Sequence, residues 1–74
     1  MCEVNIIIEG ERYQEHPLII YYDVDVNGAP WIERVEHAQD KQRRNLWKYF
    51  RPSHWSTLLI EEKVYNDCNW NGYE

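Results

Sequence analysis

The residues with the strongest chemical potential are two carboxylates on alternate positions, Asp23 and Asp25. On one face of a strand, that spacing suits cooperating acids or a hard cation. A hard cation needs several oxygen ligands, and no third acid is fixed beside these two. Asp-x-Asp on the wet side of a strand is therefore read as surface. His16, His37 and His54 are scattered along the chain, and none has a partner at metal-ligand spacing. Cys2 and Cys68 form no Cys-x-x-Cys pair, so zinc would require distant residues to converge. Gly10, Gly28 and Gly72 cannot build a phosphate loop, and no serine lies in a Gly-x-Ser-x-Gly elbow. The expectation is no catalytic residue, no metal site, no cofactor and no enzyme.

Charge is more informative, because the net −5 conceals three blocks. Residues 1–40 hold nine acids and two bases, residues 41–55 five bases and no acid, and residues 56–74 four acids and one base. The middle block is Lys41, Arg43, Arg44, Lys48 and Arg51, interleaved with Trp47, Tyr49, Phe50 and Trp55. Cations with aromatics between them suit single-stranded nucleic acid, since charges neutralise phosphates and rings stack on bases. Against this, Leu46, Trp47 and Phe50 at helical spacing suit a core face, and an acidic chain attracts phosphate poorly. A second reading takes Glu9, Glu11, Glu15, Asp23, Asp25, Glu33 and Glu36 as an acidic surface for a basic protein partner, anchored by exposed tyrosines. Its named contact residues are Tyr21, Asp23, Asp25, Glu33, Trp55 and Trp70. In a third, the basic segment of one copy meets the acidic sheet of another in a homo-oligomer.

The chain that must position these residues has 74 amino acids, room for a single core. With 43% hydrophobic and 15% aromatic residues it is well outside the composition of disordered chains. Two cysteines are few for a small secreted domain, so free thiols in a reducing compartment are expected. The longest apolar runs, Ile6 to Ile8, Pro17 to Tyr22 and Leu58 to Ile60, are too short to span a membrane. No basic residue precedes Arg12, unlike a signal peptide, and the cytoplasm is the expected location.

Val4, Ile6 and Ile8 alternate with Asn5, Ile7 and Glu9, which predicts a strand ended by Gly10. From Leu18 to Val26 a second strand carries Ile20, Tyr22, Val24 and Val26 on one face and Ile19, Tyr21, Asp23 and Asp25 on the other. Asn27-Gly28 predicts a two-residue hairpin, because its turn needs φ > 0 at both central positions. That turn would pair Val24 with Trp31, Tyr22 with Glu33, Ile20 with Val35, Asp23 with Ile32 and Tyr21 with Arg34. Pro30 suits the first residue of the third strand. Asp40 can cap a helix over about 40–51 that buries Leu46, Trp47 and Phe50, with Pro52 as its stop. Ser53 can cap a second helix over about 54–66, with Trp55, Leu58, Leu59 and Tyr65 leaning to one side. Thr57 to Tyr65 also alternates as a strand, and helix is slightly favoured. Residues 67–74 read as a turn-rich tail.

The fold expected is α+β: one domain over 1–74, a three-stranded antiparallel meander packed on one face by one or two C-terminal helices, with βββαβ as the alternative. Trp31 and Trp47 are expected inside, Trp55 and Trp70 outside. The function expected is a small cytoplasmic protein-binding module, a stoichiometric inhibitor or adaptor. Nucleic-acid binding through the basic segment, and a structural homo-oligomer, are the alternatives.

Overall fold

The computed structural model describes residues 2–10 and 14–70, the side chain of Trp70 excepted. It is an α+β domain in which a three-stranded antiparallel sheet packs against one C-terminal helix. The strands are β1 (Cys2–Glu9), β2 (Glu15–Val24) and β3 (Pro30–His37), in the order β1-β2-β3. The helix α1 runs Trp55–Trp70, preceded by a single 3-10 turn at Trp47–Tyr49.

Alternation sets the core. Val4 and Ile8 of β1, Leu18, Ile20 and Tyr22 of β2, and Val35 of β3 project to one face, where they meet Ile60, Val64 and Cys68 of α1. Each aliphatic side chain so buried contributes roughly 1.5–3 kcal/mol. Cys2, Ile6, Val24, Ile32, Trp47 and Phe50 pack around the margin. Cys68 is buried and Cys2 partly so.

The hairpin between β2 and β3 departs from the two-residue turn. β2 ends at Val24, and the connection is held by the Asp25 carboxylate, whose Oδ1 accepts the N–H groups of Asn27 and Ala29, both at 2.9 Å. The Asp25 N–H donates to the Ala29 carbonyl, and Gly28 takes the positive φ of 83° that glycine adopts without cost. Ile20 faces Val35 and Tyr21 faces Arg34 as expected, but a bulge then shifts the register. Tyr22 pairs with Ile32, Asp23 with Trp31 and Val24 with Pro30. The extra residue is Glu33. One inserted residue exchanges the faces of everything beyond it, so Ile32 joins the core margin and Trp31, expected inside, is half exposed.

The helix expected over 40–51 does not form. The Asp40 carboxylate accepts the N–H groups of Gln42 and Arg44, both at 3.1 Å, which winds the chain into turns instead of starting a helix. Residues 39–45 are polar throughout, so a helix there would have no apolar face to bury before Leu46. The segment lies along the outer edge of β3. Leu46 N–H donates to the Val35 carbonyl at 2.7 Å, and Asn45 Oδ1 accepts the Val35 N–H at 3.2 Å. The 3-10 turn follows, with Trp47 and Phe50 stacked at 5.9 Å against the core.

At 54–66 the helix is the correct alternative, and it reaches Trp70, so residues 67–70 belong to it instead of to a tail; residues 71–74 lie outside the described residues. Its cap is His54 in place of Ser53: His54 Nδ1 accepts the Ser56 N–H at 3.2 Å, and the His54 carbonyl accepts the Leu58 N–H. Ser56, Thr57, Ile60, Val64 and Cys68 form the buried stripe. The stripe of Trp55, Leu58, Leu59 and Tyr65 expected to lean together does so, but outward.

Candidate functional site

At about 100° per residue, positions 55, 58, 59, 62 and 65 of a helix share one side, opposite positions 57, 60, 64 and 68. Since the second set faces the sheet, Leu58, Leu59 and Glu62 of the first turn away from it, while Trp55 also borders the sheet end and Tyr65 borders β3 beside Trp31. Trp55, Leu58, Leu59 and Tyr65 are exposed to 51%, 55%, 41% and 57%. Glu62, also exposed, lies among them. Isolated exposed apolar residues are ordinary, but four large ones along three turns of a helix make a contiguous surface.

The partner-binding residues read from sequence do not gather on this surface. Trp55 stands on it. Tyr21 lies on the sheet face turned away from α1, paired with Glu3 on β1 and Arg34 on β3. Asp23 shares that face, and its Oδ1 accepts the Val24 N–H at 2.9 Å. Asp25 is committed to the hairpin turn. Glu33 is the bulged residue of β3. Trp70 has its backbone at the end of α1, while its side chain lies outside the described residues, as does Glu11 of the acidic set. Glu36 is buried between Arg34, which ion-pairs with it, and Arg43, whose Nη1 lies 3.9 Å from Glu36 Oε1.

The basic residues are displayed on a loop and a 3-10 turn instead of on a helix. Lys41, Arg43, Arg44, Lys48 and Arg51 are exposed. Arg43 adopts a φ of 51°, and its carbonyl accepts a hydrogen bond from the Arg34 guanidinium. Arg44 Nε pairs with Asp40 at 3.2 Å. The hydrogen bonds that Asp40 accepts, foremost from the Arg44 backbone, hold its carboxyl below the usual range. Lys48 Nζ lies 5.2 Å from the Tyr49 ring centre. Trp47 is half-buried, with Phe50 stacked on it. Acids from the first block thus sit against two of the five bases.

His16 and His37, distant in sequence, meet across the sheet end, with His16 Nδ1 3.4 Å from His37 Nε2. His37 Nδ1 accepts the Gln39 N–H at 3.1 Å, which in the neutral ring assigns the proton to Nε2 and aims it at His16. Gly10 leaves room for this pair, since a Cβ there would lie 3.0 Å from the His16 ring. Together with Ile8, Leu18, Leu46, Phe50, Trp55 and Ser56 they line a cleft of about 290 Å³. Among the described residues no three His, Cys, Asp or Glu side chains gather as a metal site would require.

On the core side, Tyr22 donates to Asp67 Oδ2 at 2.5 Å. Burial first, and the neighbouring carboxylate second, raise the Tyr22 phenol above its ordinary value of 10.0. This bond joins β2 to the inner side of α1 near its end.

Leu58, Leu59 and Tyr65 are legible as a stripe with Trp55, but the sequence reading assigns the stripe no direction. A signal that points to it is in the sequence: Ser56, Thr57 and Cys68 keep phase with Ile60 and Val64, and small side chains suit a helix packed on a sheet. No helix among the described residues is long and apolar enough to cross a membrane. The chain matches no family model, no curated protein and no solved structure.

Proposed function

We propose that this chain is a small protein-binding module, a stoichiometric inhibitor or adaptor, whose docking surface is the outer face of α1. One observation carries the reading: the helix turns Trp55, Leu58, Leu59 and Tyr65 outward while smaller residues hold it to the sheet. A fold served only by its core has no need of those four side chains on that side. Aromatic residues of this kind dominate binding energy at interfaces, and a rigid helix presents them with little ordering cost. Each is about half covered already, so docking would add roughly 1 kcal/mol per side chain from apolar burial. Association itself costs about 4–15 kcal/mol, so further contacts must complete the interface.

The far sheet face, with Tyr21 and Asp23, is a secondary surface in this account. A count of two cysteines is low for a small secreted domain, and the cytoplasm is the location we propose.

The test compares the native chain with Leu58→Ser/Leu59→Ser as baits in the cell of origin, after both are shown to melt alike. A protein recovered by the first and lost from the second fits the reading. Equal recovery by both refutes it.

A further inference from the structure

We infer that Glu62 makes the docking surface selective: its partner is another protein that offers an apolar surface carrying an arginine or lysine, and not a second copy of this chain. The inference rests on the docking role of α1 and names the chemistry of its occupant.

Glu62 stands three residues after Leu59 and three before Tyr65, between the row of Trp55 and Leu59 and the row of Leu58 and Tyr65. Whatever covers the four apolar side chains must also cover this carboxylate. It is exposed, and none of the ion pairs among the described residues uses it. A carboxylate taken out of water without a partner opposes binding, whereas one met by a guanidinium or ammonium with good geometry favours the correct partner over wrong ones.

The centre of the face points the same way. Glu61 and Lys63 flank it on opposite sides, each about 100° around the helix from Glu62. Pairing two copies of α1 along this face would set the two Glu62 carboxylates in its centre, with Glu61 and Lys63 left at its rims. Like charges in a closing seam resist association, so self-pairing is selected against. Asn66 and Asn69, which continue the face toward the C-terminus, are neutral and leave Glu62 as its only charge among the described residues.

The test uses a displayed library of random peptides, selected in parallel on the native chain, on Glu62→Lys and on Leu58→Ser/Leu59→Ser, with Glu62→Gln as a variant that removes the charge without reversing it. Peptides that need the two leucines should carry apolar residues with arginine or lysine on the native chain, and aspartate or glutamate on Glu62→Lys. A single selected peptide should bind Glu62→Lys at least tenfold more weakly than the native chain, with Glu62→Gln between them. Leucine-dependent peptides of the same charge on both baits would overturn the role of Glu62 and leave the docking face standing. An absence of leucine-dependent peptides would overturn the docking face and this inference together. Leucine-dependent dimerisation in sedimentation would assign the face to a second copy and overturn the inference.

Discussion

The two sides of α1 differ in a direction that hydrophobicity alone does not predict. The inner side holds Thr57, Ile60, Val64 and Cys68, all of modest size and almost fully buried, while the outer side holds a tryptophan, two leucines and a tyrosine, each roughly half exposed. Burial against the sheet accounts for the inner choice, because a close-packed interior admits only side chains that fit it. It gives no reason for the outer one. Apolar surface that the fold does not consume is where a partner is to be sought, and the contrast yields predictions that would break or sharpen it.

The largest effect belongs to the centre of the inner side. Ile60→Ala should cost about 2–5 kcal/mol, enough to unfold much of so small a domain, as read by chemical denaturation. Tyr22→Phe removes the bond to Asp67 and should cost about 1–2 kcal/mol, because the acceptor is charged but partly in reach of water. The same bond gives a pH signature. A phenol raised by folding binds its proton more tightly in the folded state, so stability holds below about pH 10 and falls as pH climbs above it. Melting curves from pH 9 to 11 should slope downward, and less steeply in Tyr22→Phe. Thr57 Oγ1 is buried without a hydrogen-bond partner, so Thr57→Val should raise stability by up to about 1 kcal/mol. The smallest effect belongs to the outer side: Leu58→Ala should change stability by less than about 0.5 kcal/mol. A loss at Leu58 as large as that at Ile60 would erase the distinction between the two sides.

Much of the architecture was legible because strand alternation is a strong local signal. Val4, Ile8, Leu18, Ile20 and Tyr22 take the faces that alternation assigns, and the pairings of Ile20 with Val35 and Tyr21 with Arg34 follow. What failed depended on single residues acting through side chains. Asp25 turned an Asn-Gly hairpin into a longer loop by accepting two N–H groups, and the bulge at Glu33 then moved Trp31 out and Ile32 in. Asp40 is expected to cap a helix, but the N–H groups its carboxylate accepts close a turn instead, since no apolar face follows to sustain a helix. The candidate site was half legible: Trp55 is expected to be exposed, and Leu58, Leu59 and Tyr65 share its side of the helix with no direction assigned to that side. An apolar stripe reveals its phase but not its direction. The smaller residues opposite settle direction only once a sheet is known to lie close.

The central claim is that one side of α1 builds the fold and the other is free to bind. The most direct measurement follows Leu58→Ser/Leu59→Ser by thermal unfolding and by titration with a peptide selected on the native chain. The account predicts an unchanged melting temperature with affinity reduced at least tenfold. A collapse in melting temperature, or full affinity in the double variant, would contradict it.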